Sequence, residues 1–145
     1  MRKIVNPSAE GREARLERFL AWTLYAGAAL DLFFGLGILI ALPRLGELLR
    51  IEVPDPPHYV RLFGLLLVFL AGFYALTADD IRSRLPLALW AAAVRLAGAG
   101  YFALSVFRYG APPVLLAFGA TDLLLGILHG APAGVLWRSS RRRLE

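Results

Sequence analysis

The sequence predicts an all-α integral membrane protein: a four-helix up-and-down bundle with its N- and C-termini in the cytoplasm. Three observations carry that expectation. Apolar residues make up 58% of the 145 and charged ones 19%, against about 45–50% and 25% in soluble domains, and the mean hydropathy is +0.59. Four long apolar stretches, about residues 19–42, 59–78, 85–107 and 113–137, each reach the roughly 20 residues that cross a ~30 Å hydrocarbon layer as a helix. Within them FGLGILIALP, GLLLVFLAGFYAL and LALWAAAV are apolar on every side, whereas the helices of a soluble bundle keep a polar stripe. The formal charge of +5 would suggest nucleic acid if the chain were soluble. In a membrane chain it reports orientation, and no nucleic-acid partner is expected. The chain has no Cys, which excludes disulfides, thiolate metal sites, iron–sulfur clusters and Cys nucleophiles together.

Residues 1–18 form a polar N-terminal segment. Its second half is expected to be helical, with Asn6 as N-cap, Pro7 at the first helical position and mixed charges from Glu10 to Arg18. That makes it a solvated extension of the first span; an arm for a partner or a lipid surface is the other reading. A cleaved secretory signal is not expected, because the segment before the apolar run is polar and the run is too long. The first span, Phe19 to Leu42, carries Asp31 and is closed by Pro43. In the following PRLGELLRIEVPDPPHY, Leu45, Leu48 and Leu49 against Arg44, Glu47 and Arg50 predict a short helix lying in the interface. VPDPP then forbids continuation, and Asp55 is placed to cap the second span. Short links, ADDIRSR and RYGAPP, join the second span to the third and the third to the fourth, which makes successive helices antiparallel neighbours. Residues 138–145 form a basic tail, RSSRRRLE, suited to fixing topology and touching anionic headgroups.

Basic residues accumulate in cytoplasmic segments. Arg2, Lys3, Arg12, Arg15, Arg18, Arg82, Arg84, Arg138, Arg141, Arg142 and Arg143 fall on one side of the predicted topology; Arg44, Arg50 and Arg108 fall on the other. Both termini are therefore expected in the cytoplasm. Trp22, Tyr25, Tyr74, Trp90 and Trp137 are expected in an aromatic belt near that interface, with Tyr59 and Tyr109 near the opposite one.

Three charges fall near mid-span: Asp31, Arg95 and Asp122. A central Asp or Arg costs roughly 2.5–3.5 kcal/mol on the insertion scale, so mutual pairing is expected. Small residues mark helix contacts in lipid. Gly27, Asp31 and Gly35 share one face of the first span, Gly119, Asp122, Gly126 and Gly130 one face of the fourth, and Arg95 and Gly98 one face of the third. All three charges thus point inward, Arg95 bridging Asp122 beside it and Asp31 diagonally, with a net charge of minus one. Two roles fit such a triad: structural glue with one Asp protonated, or a site that binds a proton or cationic ligand. Arg61 lies near the external end of its span, where it can snorkel or pair with Glu52 or Asp55. His129 shares the Asp122 face about two turns further on and reads as an interfacial His. The fragments AxDLxxG (Ala29–Gly35, Ala120–Gly126) and VRLxG (Val60–Gly64, Val94–Gly98) recur, but in an order that simple tandem duplication does not give. His58 and His129 lie toward opposite sides and cannot share a haem iron. No catalytic triad, phosphate loop or zinc spacing is visible, so neither enzymatic chemistry nor a cofactor nor a metal site is expected.

The Gly-rich first span ending in Pro43, the RLGELLRI link, RLFGLLLVFLAGFYAL at Arg61–Leu76 and the Asp122 helix resemble the DoxX-like group of small bacterial four-helix membrane proteins over about residues 20–137. The resemblance implies a multi-pass bundle in a bacterial-type cytoplasmic (inner) membrane, with some relatives associated with quinone-linked oxidoreductase systems. Two functions follow as expectations. One is a non-enzymatic accessory subunit or lipid- or quinone-binding module within a larger membrane assembly. The other is a proton-coupled small-molecule transporter acting as a homodimer through Asp31, Asp122 and Arg95. Expected partners are accordingly membrane lipids, quinone, and other membrane protein subunits or a second copy.

Overall fold

The computed structural model describes residues 7–144, with side chains from 11 to 141. Among the described residues are four α-helices and no strand: α1 (Pro7–Leu49), α2 (His58–Asp79), α3 (Leu85–Tyr109) and α4 (Leu115–Leu144). Each contains a stretch long and apolar enough to cross a membrane. The chain is an all-α, multi-pass membrane protein. The first three predicted spans fall inside these helices and the fourth begins two residues before α4; α1 and α4 run beyond their predicted spans.

α1 begins at Pro7, whose fixed φ suits a first helical position; Asn6, the expected cap, lies outside the described residues. The charged stretch and the first span are one continuous helix. Its early turns are tied to the α2–α3 link by an Arg82 Nε–Glu17 Oε1 pair at 2.8 Å, a surface contact worth at most about 1 kcal/mol. Pro43 does not end α1. It lacks an N–H and its ring crowds the carbonyl one turn earlier, and the backbone leaves helical geometry at Ala41 (φ −129°, ψ 31°) before resuming to Leu49. The expected short helix is thus the kinked end of α1. It closes with Arg50 at φ 53°, Ile51 N–H donating to Gly46 O at 2.9 Å and Arg50 N–H to Glu47 O at 3.2 Å, the paired bonds of a Schellman cap.

Asp55 does not cap α2: Pro57 occupies the N-cap position without a side-chain bond. The link to α3 is held by Asp80, whose carboxylate accepts from the Ser83 N–H and hydroxyl; those two bonds hold the Asp80 carboxyl below the usual carboxylate range. α3 ends at Gly110, whose φ of 67° is the left-handed conformation that an L side chain rarely adopts. α4 continues through Arg138 and into the basic tail, which is therefore helix and not a separate segment.

The helices pack as two tight hairpins, α1 with α2 and α3 with α4, joined more loosely along α1–α4 and least along α2–α3. Small residues set the close approaches, as expected where lipid removes the hydrophobic drive between helices. A Cβ on Gly35 would lie 2.8 Å from the Gly64 carbonyl oxygen, and one on Gly126 would lie 2.8 Å from Leu96 Cδ2. The outside is apolar instead: Ile40, Trp22, Phe33 and Phe69 are all more than two-thirds exposed. Buried hydroxyls of Thr23, Thr77 and Ser105 donate to carbonyls of their own helices, so no donor is stranded.

The main buried apolar cluster lies at one end: Leu20, Leu24, Tyr74, Ile81, Leu85, Ala88 and Leu136 pack together at the end bearing the α2–α3 link. Toward the other end Ile38 and Leu42 of α1 are buried as well. The recurring fragments also take different registers, since Gly35 meets Gly64 whereas Gly98 meets Asp122. They are equivalent words without equivalent packing.

Gly35→Ala should lower the thermal midpoint in detergent by the equivalent of about 1–3 kcal/mol, the usual cost of overpacking. Gly72→Ala, whose Cβ would meet nothing within 4 Å, should leave it unchanged or slightly higher.

Candidate functional site

Arg95 joins both carboxylates. From α3, its Nη1 donates to Asp122 Oδ1 on α4 at 2.7 Å, while Nη2 stands 2.8 Å from Asp31 Oδ2 on α1. Nη2 also donates to the Gly27 carbonyl at 3.3 Å. The side chains of Asp31 and Arg95 are 4% and 6% exposed, and that of Asp122 16%. With all three ionised the group carries minus one. The planar guanidinium is the side chain suited to this span, because its fork serves two acceptors in fixed directions.

Glycines make the space. A Cβ on Gly98 would fall 2.5 Å from Asp122 Oδ2, and one on Gly27 would fall 3.3 Å from Arg95 Nη2 and 3.4 Å from His129. The inward face read from glycine spacing is thus the face on which the carboxylates and guanidinium meet.

Two further side chains join them on the core side. The Arg95 guanidinium carbon lies 4.9 Å from the Tyr74 ring centroid, a cation–π geometry. Tyr74 in turn meets His129 edge-on at 5.9 Å. Both are fully buried. Tyr74 was expected in the interfacial belt and His129 at the interface; both belong instead to the interior. Tyr74 shares its face of α2 with Gly64, Ala71 and Ala78, a small-residue spacing that marks an inward face. The Tyr74 hydroxyl, Arg95 Nε and both His129 ring nitrogens complete no hydrogen bond, although the Thr23 backbone is close to the imidazole.

Arg61 is not part of the group. It is exposed and, among the described residues, forms no ion pair with Glu52 or Asp55. Nor do three His, Asp or Glu side chains among the described residues converge to hold a metal ion.

On the side away from Tyr74 the charges form the floor of a cavity of about 550 Å³. Sequence patterning gives no sign of it. Its walls are apolar: Leu30, Phe34 and Ile38 from α1, Phe63 from α2, Phe102 from α3 and Phe118 from α4. Phe118 bridges the hairpins, its ring centroid 5.1 Å from that of Phe34 and 6.0 Å from that of Phe102. The kinked end of α1 (Leu45, Leu49) and the segment Ile51–Pro54 form the outer wall. The volume lies within the ~300–1,000 Å³ of small-molecule sites, and an apolar lining with a few convergent polar groups is their usual composition.

Arg95→Ala should cost about 3–5 kcal/mol of stability by stranding two buried carboxylates, whereas Arg61→Ala should change it by less than about 0.5 kcal/mol. Thermal unfolding of both variants in the same detergent checks this; equal losses would contradict the burial of Arg95. Compared with models of known families, with curated proteins and with solved structures, the chain finds no match.

Proposed function

We propose that the protein is a non-enzymatic membrane module that holds an amphiphile, a lipid or quinone, between its two hairpins, serving as an accessory subunit of a larger membrane assembly. The observation that carries this reading is the cavity of about 550 Å³, apolar along its walls and ending on Asp31, Arg95 and Asp122. An apolar tail would lie against Phe34, Phe102 and Phe118, with a polar end on the charged floor. The likeness of the quoted segments to DoxX-like proteins agrees with such a role. The same likeness supports a bacterial-type cytoplasmic membrane, and the distribution of basic residues supports an orientation with the α2–α3 link inside.

Proton-coupled transport by a homodimer is the second reading. It is favoured by the surplus carboxylate at the cavity floor, backed by the unpaired polar atoms of Tyr74 and His129.

Thr121 lines the cavity, whereas Leu123 on the same helix is 48% exposed and does not. Purified in mild detergent and extracted for mass spectrometry, the parent protein and Leu123→Trp should carry a bound amphiphile at near one per chain, and Thr121→Trp should lose most of it. Equal retention by both variants would place any bound lipid outside the cavity. Flux in proteoliposomes abolished by Asp31→Asn, with no retained amphiphile, would favour the transporter.

The lack of native Cys makes orientation directly measurable. In intact cells an impermeant thiol reagent should label Glu52→Cys and leave Ser140→Cys unlabelled until the membrane is opened. The reverse pattern would invert the topology.

A further inference from the structure

The charges lining the cavity decide which polar end it accepts. Four charged side chains line it: Asp31, Asp122, Glu52 and Arg95. Arg95 is already engaged by both floor carboxylates, so its positive charge is matched twice over. The floor keeps one uncompensated negative charge, and the exposed Glu52 adds another in the outer wall. No other basic residue contributes to the lining.

In a low-dielectric interior an unbalanced ion costs several kcal/mol, and only a proton or a cation removes the imbalance. An anionic head would add to it. Asp31 and Asp122 are the acceptors that such a cation would meet: both line the cavity, Arg95 pairs with Oδ2 of the first and Oδ1 of the second, and the Asp122 side chain is 16% exposed. Phe34, Phe102 and Phe118 supply aromatic surface, which tolerates both an apolar body and a cation.

We infer that the occupant is a cationic amphiphile, with an ammonium on Asp31 and Asp122 and an apolar body along the three phenylalanines. This rests on the amphiphile reading above and narrows it from lipid or quinone to an ammonium-ended molecule.

The test uses three probes of equal chain length, dodecylammonium, dodecanol and dodecanoate, on the full protein in phosphatidylcholine nanodiscs at neutral pH. Binding to Thr121→Trp is subtracted as background. Dodecylammonium should bind at least about tenfold more tightly than dodecanoate, with dodecanol between them. In Asp31→Asn the preference should fall to near parity while dodecanol is unaffected. If that variant does not fold, Asp122→Asn and Glu52→Gln carry the same comparison, each reducing the preference. Dodecanoate binding as well as dodecylammonium, or a preference untouched in folded charge variants, would overturn the cationic assignment and leave an amphiphile site standing. Failure of all three probes to exceed background would remove both.

Discussion

A guanidinium held between two carboxylates where water is scarce is the interaction on which this bundle turns. Neither partner is tolerable there alone, since an isolated buried ion costs several kcal/mol even after relaxation. The cost is offset only if Asp31, Arg95 and Asp122 meet, and they come from three different helices. α3 and α4 are already close neighbours, so the Arg95–Asp122 pair works within a hairpin. The Arg95–Asp31 pair works between hairpins, whose mutual packing is much looser than the packing inside each. The ion group is therefore the joint of the molecule as well as its most polar point. Gly27 and Gly98 belong to that joint, because side chains there would press on the guanidinium and the Asp122 carboxylate.

On one side of the joint the bundle is solid, and on the other it is hollow. Alanines and leucines fill the end near the α2–α3 link, where helices approach closely enough to exclude ligands. Toward the opposite end, phenylalanines join the small residues. Phe118 meets Phe34 on α1 and Phe102 on α3, and the kinked end of α1 walls the space. The polarity of the floor follows from this layout. The same three charges face packed aromatic groups on one side and an open apolar chamber on the other.

The architecture was legible in the sequence because it is written in the coarsest signals, apolar runs of membrane length and the punctuation between them. The inward direction of Asp31, Arg95 and Asp122 was legible from glycines at helical spacing. Tyr74 misled because its residue type points to an interface, while its neighbours Ala71 and Ala78 point to a contact face, and packing decided for the neighbours. His129 misled because the predicted span stopped at residue 137, whereas α4 runs from Leu115 to Leu144 and places His129 at its middle, where it is fully buried. Pro43 was read as a stop, but the chain accommodates it by leaving helical geometry at Ala41 and resuming the helix to Leu49. The cavity had no signature, since phenylalanines that line a space and phenylalanines that fill a core look alike in a sequence. Arg61 and Arg95 share the fragment VRLxG, yet one is exposed and the other buried; depth along the span separates them.

The diagonal bond between Asp31 and Arg95 also carries a consequence for biogenesis. Translation delivers α1 to the membrane before Arg95 has been made, so the first helix arrives with a carboxylate and no counterion. At roughly 2.5–3.5 kcal/mol for a central Asp, its insertion leans on the strong hydropathy of the residues around it. The arrival of α3 supplies the counterion and, in the same event, draws the two hairpins together. Assembly of the second half thus completes the pairing begun by the first, and a chain stalled after α2 is left with a soluble-looking residue stranded in lipid.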